Sequence, residues 1–157
     1  MASDSLIEQI QGRLHEVNDL YYQLILVVSP DQAEISTALH TLAQHRGLAY
    51  MNVSRELSLR LLNLTTDQRV RKTGGLMSDL IKAASGHTII LDNTALLFEV
   101  TLRQDPLRLL QRLSRHKTIL AAWNGRLLDH SLVYAEPDHA EYRRYAAKDI
   151  EAIAITP

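Results

Sequence analysis

The sequence predicts an α/β fold, three layers built on a mostly parallel sheet of about five strands. Three observations carry that prediction. Short apolar runs, several rich in β-branched residues, recur at residues 23–29, 48–53, 87–92, 117–123 and 151–155. Between them lie segments whose apolar residues follow helical spacing, and strands separated by helices imply right-handed crossovers and parallel pairing. Leucine is the commonest apolar residue, aromatics make up 5% of the chain and Phe98 is its single phenylalanine, a balance that favours helices on a small sheet over an all-β sandwich.

The first element is an N-terminal amphipathic helix within residues 1–20. Ser3 or Asp4 can cap it, Ser5 and Glu8 offer a second, capping-box start, and Leu6, Ile7, Ile10, Leu14, Val17 and Leu20 mark its apolar side. Residues 23–29 (QLILVVS) suit a central strand buried on both faces. A helix over residues 32–45 follows, with Ile35, Ala38, Leu39 and Leu42 on one face and Gly47 placed to end it. After a strand at 48–53, Ser54 is positioned to cap a leucine-rich helical stretch, and Thr66-Asp67 to start another that is interrupted at Gly74-Gly75. Beyond the strand at 87–92, Asp105-Pro106 is a strong helix start, because the carboxylate accepts orphan amide bonds and proline has no amide to leave unpaired. That helix should run to about Arg115, before the last two strands at 117–123 and 151–155.

No linker-like run and no repeat divides the 157 residues, so residues 1–157 read as one domain, long enough to bury roughly two-thirds of its unfolded surface without a staple. The absence of cysteine excludes disulfide frameworks, thiolate zinc sites, iron–sulfur clusters and a cysteine nucleophile. No basic start precedes an apolar block, and no apolar stretch approaches the roughly 18 residues of a membrane span, so the expectation is a cytoplasmic protein with no membrane partner. A net charge of −1 argues against general nucleic-acid or membrane-surface binding but leaves room for a local basic patch.

A strand–turn–helix opening, followed later by an apolar strand ending in Asp, is the skeleton of a P-loop NTPase-like domain. In the loop G-x-x-x-x-G-K-[ST] the glycines let backbone amides wrap phosphates, the lysine neutralises charge and the hydroxyl holds magnesium. Here the same positions read Ser29-Pro30-Asp31-Gln32-Ala33-Glu34-Ile35-Ser36. The phosphate loop is therefore degenerate: Glu34 brings a negative charge and a Cβ, Ile35 removes the cation, and only Ser36 keeps its type. One such charge at about 4 Å is worth about 4 kcal/mol at an effective dielectric near about 20. Residues 88–93 (TIILDN) preserve the second half of the skeleton, with Asp92 where the magnesium shell is held and Asn93 where many ATPases carry a glutamate base. An amide there can orient water but cannot take its proton. Asn124 sits where a sensor residue would meet a γ-phosphate. Plainer readings stand beside these: Asp92 as a cap for the next helix, and Asn124-Gly125 as a turn.

Residues 55–64 (RELSLRLLNL), residues 92–115 (DNTALLFEVTLRQDPLRLLQRLSR) and Trp123-Asn124-Gly125 with residues 134–142 (YAEPDHAEY) carry a more specific likeness. They resemble the BrxF family, the small P-loop-type proteins encoded with type 3 BREX bacteriophage-exclusion systems, over roughly residues 23–145. The resemblance implies an AAA-like fold of the ASCE type and an antiviral defence role alongside a methyltransferase and other BREX proteins. Ser29, Glu34 and Ile35 depart from the P-loop pattern. Ser36 and Asp92 alone carry over as magnesium-side residues.

Outside that skeleton, Arg108, Arg112 and Arg115 fall at i, i+4 and i+7, one side of a helix, and suit either an anion or nucleic-acid contact or a solvated face. Arg69, Arg71 and Lys72 before Gly74-Gly75 suggest a loop meeting phosphate. Asp138, His139 and Glu141 lack a second histidine at helical distance, which disfavours a metal there. The expected function is an accessory or assembly component of a BREX-type defence system, with impaired nucleotide binding and no catalytic residues of its own. Ser29, Ser36, Asp92, Asn93 and Asn124 form its vestigial nucleotide site. Other BREX proteins are the expected partners, DNA enters through the complex, self-association is open, and no cofactor is expected. The alternative is an AAA-like ATPase subunit completed by a partner or oligomer, taking ATP and magnesium at Ser36 and Asp92. A DNA-contacting subunit is the third reading.

Overall fold

The computed structural model describes residues 2–157. In chain order the strands are β1 (Leu24–Val28), β2 (Ala49–Asn52), β3 (Thr88–Asp92), β4 (Thr118–Trp123), β5 (Gly125–Leu128), β6 (Ser131–Tyr134), β7 (Arg143–Tyr145) and β8 (Ile153–Ile155). The helices are α1 (Ala2–Val17), α2 (Gln32–Arg46), α3 (Val53–Leu61), α4 (Thr66–Ala83) and α5 (Pro106–Leu113). Five strands form one wholly parallel sheet in the order β2-β3-β4-β1-β8, and β5-β6-β7 form a separate antiparallel sheet.

The central position of β1 follows from its composition. All five of its residues are buried, and consecutive side chains enter opposite layers: Leu24, Leu26 and Val28 pack with α3, α4 and α5, while Ile25 and Val27 pack with α1 and α2. A strand can be apolar throughout only if both its faces are covered. Its register against β4 runs from Leu24↔Ile119 to Val28↔Trp123, and this aligns the carboxyl ends of the two strands. The α/β class, the three layers and the parallel pairing agree with the sequence expectation.

Several boundaries differ, each for a local reason. The first helix already includes Ser3 and Asp4, which fall within its first turn and not ahead of it; the side chain of Ser3 lies outside the described residues. Asn52, not Ser54, caps α3, its Oδ1 accepting from the Arg55 amide at 3.1 Å. Thr65 caps α4 in a reciprocal capping box with Gln68, and the helix continues through Gly74-Gly75 without interruption. Arg69, Arg71 and Lys72 are therefore helical, not a loop. Helix α5 begins at Pro106 behind its Asp105 cap, as expected, but ends at Leu113, which leaves Arg115 beyond it. The β5–β7 sheet was not anticipated at all. No described helix is long and apolar enough to cross a membrane.

Candidate functional site at the carboxyl edge of the sheet

The connections leaving β1, β3 and β4 meet at one edge of the sheet, the place where parallel α/β folds gather ligand-binding groups. Ser29, Asp92, Asn93 and Asn124 all lie there. Ser29 is buried, its amide donates to the Trp123 carbonyl at 3.1 Å, and its Oγ accepts from the Asp31 amide at 3.1 Å. Only Ser29, Pro30 and Asp31 separate β1 from α2. That is too short to wrap a chain of phosphates, because five of the eight positions expected to form the loop are already helical. Ile35 is accordingly a core residue at 0% exposure, and Ser36 stands in the second turn of α2, outside the hydrogen bonds around Asp92.

The amino end of α2 would be the natural anion seat, since its first amides have no intrahelical partner. Here Asp31 fills it: Oδ1 accepts from the Glu34 amide at 3.2 Å. A resident carboxylate both takes one of the donors and repels an incoming phosphate.

Asp92 is 2% exposed and both its oxygens are engaged. Oδ1 accepts from the Asn93 amide at 2.8 Å, and Oδ2 accepts from the Tyr50 hydroxyl at 2.5 Å. Because the single phenolic proton goes to Asp92, the His40 Nε2 that lies 2.9 Å from the Tyr50 oxygen must be the protonated ring nitrogen and donate. The His40 and Tyr50 rings stack, 4.2 Å between centroids. Asn93 takes a left-handed conformation (φ 50°), which asparagine tolerates better than most residues. Its amide side chain bridges the strand ends: Oδ1 accepts from Gln32 Nε2 at 3.3 Å and Nδ2 donates to Asn52 Oδ1 at 3.2 Å. Its carbonyl accepts from both the amide and the hydroxyl of Ser54, at 3.0 and 2.7 Å. Asp92 and Asn93 are thus tied into a network that runs from α2 through β3 to α3.

Asn124 is the exception. Its Oδ1 and Nδ2 are both buried without a hydrogen-bond partner, beside a recess of about 180 Å³ whose lining includes Pro30, Arg126 and Arg144. Sequence reasoning missed Tyr50, His40, Asn52 and Gln32. Asn52 alone carried a usable signal, as a favoured cap residue directly before a leucine-rich helix.

The three arginines of the expected stripe go separate ways. Arg108 faces its own cap Asp105 at 3.7 Å, Arg115 lies over the Tyr21 ring at 4.4 Å, and Arg112 lines a cleft between α4 and α5. His139 Nδ1 accepts from the Glu141 amide at 3.0 Å, a local turn contact.

Burial, then the neighbouring Asp92, pushes the Tyr50 hydroxyl well above its ordinary value; burial, then Asp105, does the same for Tyr145, whose hydroxyl donates to Asp105 at 2.7 Å. The ordinary phenol ionises near about 10, so above that pH the unfolded chain loses protons that the folded chain keeps. The stabilising contribution of these two phenols is complete below pH of about 10 and lost as pH rises beyond it. Urea midpoints should fall between pH 9 and 11, and the Tyr50→Phe, Tyr145→Phe variant should show a flatter fall; parallel slopes would refute this.

Compared with protein-family models, curated proteins and solved structures, the chain matches none.

Proposed function

We propose that this protein is a P-loop-like α/β domain that no longer works as a nucleotide hydrolase and serves as an accessory or assembly component of a BREX-type defence complex. One observation carries the loss of nucleotide chemistry: the amino end of α2 is capped by the Asp31 carboxylate after a connection of only three residues. The burial of Asp92, at 2% exposure and already bonded to Tyr50 and Asn93, points the same way, since magnesium-bound water would have to reach a carboxylate closed off from solvent. The strand order supports the P-loop-like reading, and the likeness of residues 55–64, 92–115 and 134–142 to BrxF proteins supports the choice of complex.

Calorimetric titration with ATP, with and without magnesium, is the test. Affinity no better than millimolar and no turnover are expected. Micromolar affinity abolished by Asp92→Ala would favour the second reading, a nucleotide-binding subunit completed by a partner. That reading draws on Asn124, whose buried amide has no hydrogen-bond partner and is able to receive a ligand.

A further inference from the structure

The cleft between α4 and α5, of about 720 Å³, lies away from the strand ends just described and shares no residue with them. Its lining includes His116 and Lys117, directly before β4, so it reaches the amino edge of the sheet, opposite the strand ends described above. Four Lys and Arg side chains line it, Arg71, Lys82, Arg112 and Lys117, together with His116, and no Asp or Glu does. None of these five is within salt-bridge distance of a carboxylate, the ion pairs among the described residues being those of Arg13, Arg60 and Arg108. Lys117 is held in place by donating to the Ile81 and Ala84 carbonyls at the end of α4, at 2.9 and 2.7 Å. In a chain of net charge −1, a cleft whose charged lining is all cationic is a concentration of one sign that folding alone does not require.

Gly74 adds an independent observation. It lies inside α4, where glycine is the poorest helix former after proline, and it lines the cleft. A Cβ there would meet only Leu109 Cδ1, at 3.9 Å, an ordinary contact, so packing does not demand the glycine. What the missing Cβ leaves is backbone open to close approach from the cleft.

We propose that this cleft binds the phosphates of a single nucleic-acid strand. Arg71 and Lys82 lie eleven positions apart on α4, about 16 Å along the axis, which is too far for one phosphate and suits a linear series of them. Packed helices stand only about 8–10 Å axis to axis, so the cleft is a groove over their contact, and its volume of about 720 Å³ suits the backbone of one strand and not a duplex. No Phe, Tyr or Trp lines the cleft, so recognition is chiefly of the backbone, independent of sequence. Two positively charged walls supply the recognition, and Gly74 permits close approach between them.

The test is fluorescence anisotropy of the full chain with a labelled mixed-sequence DNA strand of about 12 nucleotides, at several salt concentrations. Three or four phosphate contacts predict a log–log salt slope of about −2 to −3 on a single strand. Arg71→Glu with Arg112→Glu should weaken binding at least about tenfold, whereas Arg108→Glu with Arg115→Glu, outside the cleft, should change it less than about twofold. Arg112→Gln, which keeps the side-chain stem, gives the same direction should the double reversal fail to fold. Gly74→Ala should raise the melting temperature by about 2–4 °C yet weaken binding, a pairing that a purely structural glycine would not produce. Absence of binding at low salt, equal losses in the cleft and control reversals, or unchanged affinity in Gly74→Ala overturns the proposal. Equal competition by polyglutamate or by inorganic polyphosphate of matched charge overturns the assignment to nucleic acid, and tighter binding of the duplex overturns the single strand.

Discussion

Replacing Gly125 with alanine is expected to destabilise the protein by about 3 kcal/mol or more, at or above the top of the range of about 1–3 kcal/mol usual when a side chain is forced into filled space. A Cβ at this position would lie 1.9 Å from the Val133 carbonyl oxygen and 3.0 Å from Trp123 Nε1. Those two atoms already bond to each other, Trp123 Nε1 donating to Val133 O at 3.1 Å, so alanine must break that bond or push β5 away from β6 at its first pair, Gly125↔Tyr134. Neither movement is local. Trp123 is fully buried and packs edge-on against Phe98 at 4.9 Å and Tyr145 at 5.9 Å, while Phe98 stacks on Tyr134 at 3.6 Å. Trp123 is the only tryptophan, so its fluorescence reports the change directly. Urea unfolding followed by that emission should give a much lower midpoint with the spectrum of the native state already shifted to the red. A loss below about 1 kcal/mol would mean that the close approach of Gly125 to β6 is wrong.

The parallel core was legible because its strands are apolar on both faces and its helices announce their ends. Gly47 in the left-handed conformation after α2, and Asp105-Pro106 before α5, are local devices that need no tertiary knowledge. The antiparallel β5–β7 sheet was not legible for equally physical reasons. Its hairpin turns on Asp129-His130, both with positive φ, where the usual cue is Asn-Gly, and its strands are three or four residues long. Gly74-Gly75 misled in the other direction. Glycines weaken a helix without ending it, and the Thr65–Gln68 capping box together with the buried Thr73, Met77 and Ile81 carries α4 through them. At the site, the sequence located Asp92, Asn93 and Asn124 at strand ends but could not reveal what holds them. Tyr50 reaches Asp92 across the parallel register of β2 with β3, and His40 reaches Tyr50 from α2, long-range contacts invisible in any one segment alone.

Substituting Asp92 by alanine separates the two meanings of a buried acid at a strand end. If Asp92 persists for magnesium, the folded apo protein carries an uncompensated charge, and removing it should leave stability unchanged or raise it. If it persists for the network seen here, the variant loses two hydrogen bonds to a charged acceptor, those from Tyr50 and from the Asn93 amide. Bonds of that kind are worth about 1.5–3 kcal/mol each, so the expected loss is about 3 kcal/mol, allowing for the Tyr50 hydroxyl keeping His40. The Asn93 amide has no such reserve: it sits in a left-handed residue whose own side chain is committed to Gln32 and Asn52. Asp92→Asn should lose less, because the amide oxygen can still accept one of the two bonds. Chemical denaturation of both variants, without nucleotide, checks the order wild type, then Asn, then Ala. An alanine variant as stable as the wild type would return Asp92 to the magnesium side of a working nucleotide site, and with it the partner-completed ATPase.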